Sequence, residues 1–137
     1  VSERIVAIGL KIPDNSAYTA MVTLRRLGID VERVERSDIV RFDEGGEAAD
    51  VRARVERDES LFNPNKHRLM LLAGSKPRAG EVWIETIGAA ATIARMPARR
   101  YVGWRLFRHD GSPAAHETVQ AAVEALLCNP AIERAIY

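Results

Sequence analysis

Apolar residues recur at two spacings along this chain, and the switches between them mark its elements. Ile5, Val6, Ile8 and Leu10 crowd a run from Arg4 to Ile12 that reads as a strand, ended by Pro13. Ala17, Ala20, Met21, Leu24 and Leu27 follow at three-and-four spacing, which predicts a helix entered through the side-chain oxygens of Asp14, Asn15 and Ser16. Gly28 stands where a left-handed cap closes such a helix. A second strand covers Asp30 to Phe42, and Gly45-Gly46 breaks it. Glu47 to Leu61 is helical by composition, yet only Ala48, Val51 and Val55 make a stripe, so this helix is expected to be the more exposed one. Asn63-Pro64-Asn65 stops it, and Arg68 to Ala73 reads as a buried strand.

The second part repeats this grammar. Gly74 to Gly80 is a loop, and Glu81 to Ile87 a strand with Val82, Ile84 and Thr86 on one face. Gly88 to Met96 is divided: its alanines favour a helix near Ala90, while Gly88 and Pro97 confine it. Arg100 to Phe107 is a strand, and His109-Asp110-Gly111 a turn. Ser112 and Pro113 then offer an N-cap and a first helical position. The helix to Leu127 carries the richest stripe: Ala115, Val119, Ala122, Val123, Leu126 and Leu127. That stripe puts Leu126 in the core, so Leu126→Ala is expected to destabilise more than Val51→Ala. Asn129-Pro130 ends the helix, and Ala131 to Tyr137 is a last short strand.

Strands that alternate only partly suit an antiparallel sheet covered on one side. The expected fold class is α+β, ferredoxin-like, with helices on one face and two tandem related halves. These halves are 1–73 and 81–137, within one continuous domain 1–137. A shift of 66 residues aligns Ile39–Leu71 with Arg105–Tyr137 without a gap. It matches Gly45 with Gly111, Leu61 with Leu127, Asn63-Pro64 with Asn129-Pro130, and Arg68 with Arg134.

Composition narrows the class. At 137 residues, 47% hydrophobic and 28% charged, the chain is a folded domain rather than a disordered one. No uncharged apolar stretch reaches the about 18 residues of a membrane span. The start Val1-Ser2-Glu3-Arg4 places an acid where a signal peptide has basic and then apolar residues. The single cysteine, Cys128, excludes an internal disulfide framework and points to a reducing, cytoplasmic setting. A formal net charge of +1 favours neither nucleic acid nor membrane as a partner. The balance is uneven along the chain. Asp30–Glu59 has eleven acids against six arginines, a net −5, and Ser60–Asp110 has nine Lys/Arg against three acids, a net +6. The two stretches either face each other, steer association, or make two solvated faces.

Catalytic and metal-binding patterns are not recognisable. His67, His109 and His116 lack metal-ligand spacing. Cys128 falls at a helix C-terminus, where the dipole disfavours a thiolate. Gly74-Ser75-Lys76-Pro77-Arg78-Ala79-Gly80 lacks the Gly-Lys-Ser/Thr end of a phosphate-binding loop. Arg95, Arg99, Arg100, Arg105 and Arg108 interleave with Tyr101, Trp104 and Phe107, but strand alternation points Arg105 away from Trp104, against a nucleic-acid platform. The expectation is no catalytic, metal or cofactor site.

One resemblance rests on punctuation. Leu10-Lys11, then Asp14-Asn15-Ser16-Ala17, a helix ending Leu27-Gly28 and a strand Val34–Phe42 are similar to the small PurS subunit of bacterial phosphoribosylformylglycinamidine synthase. That family also enters its last strand through Asn-Pro-x-Ile-Glu, here Asn129-Pro130-Ala131-Ile132-Glu133, with a partial copy at Asn63-Pro64. Family members are single units of about half this length. Ser37-Asp38 replaces their Gly-Lys pair, and the first Asn-Pro lacks the following Ile-Glu. The resemblance implies a non-catalytic assembly subunit, without cofactor, that bridges a synthetase and a glutaminase subunit in purine biosynthesis and self-associates. A doubled relative would fill both halves of the family's dimer within one chain. Partner-facing candidates are Asp14, Asn63, Pro64, Asn129, Pro130 and Glu133. The competing reading is a ferredoxin-like regulatory module that binds a small molecule. A third, a small enzyme using the basic loop, lacks a complete catalytic set.

Overall fold

A computed structural model describes residues 3–89 and 91–137. The signal-peptide reading at Val1-Ser2 and the helix placed at Ala90 itself lie outside the described residues. The protein is α+β, an open antiparallel seven-stranded sheet with three helices. In chain order these are β1 (Arg4–Leu10), α1 (Asn15–Arg26), β2 (Arg33–Phe42), α2 (Ala48–Arg57), β3 (His67–Leu72) and β4 (Glu81–Thr86). They are followed by β5 (Ala91–Ile93), β6 (Met96–Phe107), α3 (His116–Ala122) and β7 (Glu133–Ile136). The strand order is β3-β1-β2-β6-β4-β7, and β5 pairs with β6 beyond the end of β4.

Alternation along the strands sorts two cores. On one face, Val34, Val82, Ile84 and Leu106 pack under α1 and α3. On the same face, Val6, Ile8, Val40, Phe42 and Ala98 pack under α2. The opposite face carries no helix, yet Ile5, Ala7, Ile39, Trp83 and Tyr101 are buried there as one cluster, with Leu72 and Ile136 of the two edge strands against it. β3 ends beside the start of β1, and β4 begins beside the end of β6, so residues 73–80 run diagonally past three strands. Arg78 in this segment reaches Met70 Sδ (3.6 Å) and Glu81, both on the helix-free face. Glycine is required where the segment turns into β4. Gly80 has φ +73°, and a Cβ there would stand 2.8 Å from the Leu106 carbonyl oxygen. Gly103 has the same role mid-sheet, because a Cβ would come within 2.9 Å of Ile39 Cγ1.

Three expectations are corrected. The stretch before Met96, divided in sequence between helix and loop, is strand and turn over residues 91–95. Ile93 and Met96 close a two-residue hairpin turn whose central residues, Ala94 and Arg95, have φ of 51° and 63°. β6 therefore starts at Met96 rather than Arg100 and takes in Pro97, because cross-strand pairing outweighs the helix propensity of the alanines. Ser112 does not cap α3. Its N–H and hydroxyl both donate to the Asp110 carboxylate (2.9 and 2.6 Å), Pro113 bridges Phe107, and α3 starts at His116.

The third correction concerns Leu126, expected in the core ahead of Val51. Val51 and Val55 are fully buried, whereas Leu126 is 41% exposed. The end of α3 widens into a π-turn, Val123–Leu127, with Cys128 N–H bonding the Val123 carbonyl at 3.3 Å, and this shifts the stripe so that Leu127 faces inward and Leu126 outward. The order of the two alanine variants is therefore reversed. Val51→Ala is expected to lower the urea midpoint by the equivalent of about 1–3 kcal/mol, and Leu126→Ala by less than half as much. Equal shifts would contradict this packing.

Candidate functional site

The six residues singled out from sequence occupy opposite corners of the sheet. Asp14 caps α1, its Oδ1 accepting the Ala17 N–H at 3.1 Å. It lines a cleft of about 240 Å³ with Gly9, Ser37, Arg36, Arg68 and Arg78. Asn63-Pro64 lies at the same end, where Lys11 Nζ donates to the Pro64 carbonyl (2.7 Å). Asn129, Pro130 and Glu133 lead into β7, whose first residue pairs with the end of β4, diagonally across the sheet. The fold thus brings Asp14 close to Asn63-Pro64 and keeps both away from Asn129-Pro130.

The two Asn-Pro turns share one construction. Asn63 Oδ1 accepts the N–H of Asn65 (2.9 Å), its carbonyl accepts Lys66 and His67 (2.9 and 2.8 Å), and its own N–H donates to His67 Nδ1 (2.8 Å). Asn129 Oδ1 accepts Ala131 N–H (3.1 Å), its carbonyl accepts Ile132 and Glu133 (3.1 and 2.8 Å), and its N–H donates to Glu133 Oε1 (2.8 Å). Each turn delivers the chain into an edge strand four residues on, β3 or β7. The asparagine side chain mimics a backbone turn, which is why this residue type recurs.

The helix-free face holds charge that the sequence reading missed. Glu81 and Glu85 are buried on either side of Trp83. Arg78 binds Glu81 through two nitrogens (Nε–Oε1 3.1 Å, Nη2–Oε2 2.8 Å) and its backbone N–H (3.0 Å). Those bonds hold the guanidinium above its ordinary pKa. Arg134 clamps Glu85, with Nε–Oε1 at 2.7 Å. The only advance signal was period two itself, since Glu81, Trp83 and Glu85 alternate with Val82 and Ile84. The loop considered for anion binding, 74–80, thus directs its arginine inward to a carboxylate.

Histidines and cysteine have structural partners. His67 is bonded within its turn, and His116 meets Tyr137 edge to face at 5.1 Å. Burial pushes the Cys128 thiol up, which disfavours a nucleophilic thiolate. Among the described residues no group of three His, Cys, Asp or Glu side chains is placed to hold a metal. The acidic and basic stretches meet in part within the molecule. Arg100 reaches Asp38 (3.5 Å), and His109 lies between Asp30 (Nε2–Oδ1 2.8 Å) and Glu32 (Nδ1–Oε2 2.6 Å).

The His109 contact sets a pH dependence. The Asp30 hydrogen bond, then the charges of Asp30 and Glu32, raise the imidazole above its ordinary 6.5. A folded value above the unfolded one means that the stabilisation is complete below pH 6.5 and is lost as pH rises through the folded value. His109→Gln is expected to flatten the dependence of the urea midpoint on pH in that window. NMR titration of His109 at or below 6.5 would contradict the assignment.

A further cleft, of about 990 Å³, opens between the last turns of α2 and the β5–β6 hairpin, lined by Arg54, Arg57, Asp58, Thr92, Ala94 and Arg95. In sequence Arg95 is one of several arginines interleaved with aromatics, and Arg54 and Arg57 have no assigned role, although their i,i+3 spacing on one helix face is visible.

Fold and sites together define an α+β protein whose open sheet ends in two short edge strands. Compared with protein-family models, curated proteins and solved structures, the chain matches none. No helix among the described residues is long and apolar enough to cross a membrane.

Proposed function

We propose that this chain is a non-catalytic assembly subunit, a doubled, ferredoxin-like relative of the PurS family in which one chain supplies both halves of a dimer. One observation carries the reading. The orders β3-β1-β2 and β7-β4-β6 mirror each other about the β2–β6 pair, and near its middle Ser37 faces Gly103, 66 positions away, the same offset as the sequence repeat. The matching hydrogen bonds of the two Asn-Pro turns support it. In each half a helix then links two parallel strands with a third between them, β2-α2-β3 and β6-α3-β7. Under this reading the partner surfaces are the two sheet edges. β3 bonds only β1 and β7 only β4 among the described residues, and each starts from a turn bearing Asn63-Pro64 or Asn129-Pro130-Glu133. Unpaired edges accept strands from other chains, including a second copy of this one. Asp14 lies beside the first of these turns.

The test mixes the purified chain with an ATP-dependent synthetase and a glutaminase of purine biosynthesis and measures mass by light scattering. The expected result is a ternary complex whose glutamine-dependent amidation of formylglycinamide ribonucleotide requires this chain, with no turnover by the chain alone. Association should weaken as salt screens the charged stretches beyond a Debye length of about 8 Å at 0.15 M. Turnover by the chain alone, or no complex at any salt concentration, overturns the reading.

A further inference from the structure

We infer that the cleft between α2 and the β5–β6 hairpin is a binding site for a small molecule carrying two or more adjacent phosphate groups. The site goes beyond the assembly reading and stands without it.

Three arginines line this cleft from two walls. Arg54 and Arg57 lie one turn apart on α2, and Arg95 lies on the facing hairpin. Neither Arg54 nor Arg95 has an ion-pair or hydrogen-bond partner among the described residues, and Arg57 spends only its Nε, on the Ala53 carbonyl of its own helix (3.2 Å). The single acid in the lining, Asp58, is already engaged. Its Oδ1 accepts the Ser60 N–H and hydroxyl (3.1 and 2.6 Å), and the Ala94 N–H also faces it. The Asp58 carboxylate stays charged, so the three arginines leave the lining with a net of two positive charges, which repel until an anion enters.

The last turn of a helix favours arginine through its dipole, which accounts for Arg54 and Arg57 but not for Arg95. Arg95 follows Ala94 in a turn whose two central residues both have positive φ, a geometry that selects asparagine and glycine. Each side chain there strains the backbone. The strain is kept at an arginine that lines the cleft, where glycine would have relieved it. Residues held against their preferred backbone concentrate at ligand sites.

The chemistry selects the ligand. Guanidinium forks match phosphate oxygens in pairs, and three of them call for more charge than one monoanion brings. The Thr92 hydroxyl adds a neutral donor. The lining holds no aromatic ring, so recognition falls on the phosphates rather than on a stacked base. The volume, about 990 Å³, is at the upper end for small-molecule sites and leaves room for a group attached to them.

The test is titration calorimetry of the full chain with inorganic pyrophosphate, ADP and inorganic phosphate, at low salt and at 0.15 M salt. Pyrophosphate and ADP are expected to bind one to one, inorganic phosphate at least about tenfold more weakly, and Arg54→Gln or Arg57→Gln to weaken pyrophosphate by about tenfold each. Arg95→Gly separates binding from folding, since it should raise the urea midpoint by relieving φ while lowering pyrophosphate affinity by about tenfold. Equal affinity for pyrophosphate and ADP identifies the phosphates alone as the determinant, and tighter ADP identifies a nucleoside diphosphate as the source. No heat with millimolar pyrophosphate or ADP, or affinities unchanged in all three variants, overturns the site.

Discussion

Trp83→Ala is expected to cost about 3–5 kcal/mol of folding free energy, enough to unfold a marginal domain. Trp83 is 1% exposed and heads the fully buried side chains, although no helix covers its face of the sheet. Its ring lies 5.5 Å from that of Tyr101, and both belong to the cluster with Ile5, Ala7 and Ile39. Removing the indole leaves a hole that strands on either side, fixed by their ladders, cannot close. The indole Nε1 is buried and has no hydrogen-bond partner among the described residues. Trp83→Phe therefore removes an unpaired donor while keeping a ring, and its loss should be clearly smaller than that of alanine. Urea denaturation with a constant slope measures both. Equal losses would mean that the N–H group, not the ring, stabilises this face.

The second large effect is expected at Arg78. In Arg78→Ala the Glu81 side chain, 1% exposed, loses both guanidinium contacts and keeps only a backbone N–H. An uncompensated buried carboxylate costs about 3–5 kcal/mol. Glu81→Gln in the Arg78→Ala background should recover much of that loss, because an amide carries no charge to strand. A double variant no more stable than Arg78→Ala would show that the arginine acts by packing on Met70 rather than by pairing. The outcome also bears on the crossing segment 73–80, which this ion pair ties to the start of β4.

Local chemistry was legible from the residues alone because it closes within a few positions. Asp14 capping Ala17 and the Asn-Pro turns are bonds spanning two to four residues. Partial alternation predicted an antiparallel sheet, and all pairings between strands are antiparallel. The same reasoning failed where a local preference met a distant partner. The stretch before Met96, divided between helix and loop in sequence, became a strand when β6 paired with it, whereas Ser112 lost its capping role to a neighbour only two positions away, Asp110, which took its hydroxyl.

What the sequence by itself determined, then, is the α+β class, the antiparallel pairing and the turns that punctuate it. Tertiary structure alone decided that β2 joins β6, that 73–80 crosses a helix-free face, and that Glu81 and Glu85 are buried with Trp83. It also decided that a π-turn rolls Leu126 outward, and that Arg95 faces Arg54 and Arg57. Apart from the π-turn, closed by a bond across five positions, each of these depends on strands or walls tens of residues apart. An alternating pattern reads the same whether a helix, a crossing segment or water lies over it, so only the assembled chain distinguishes the three.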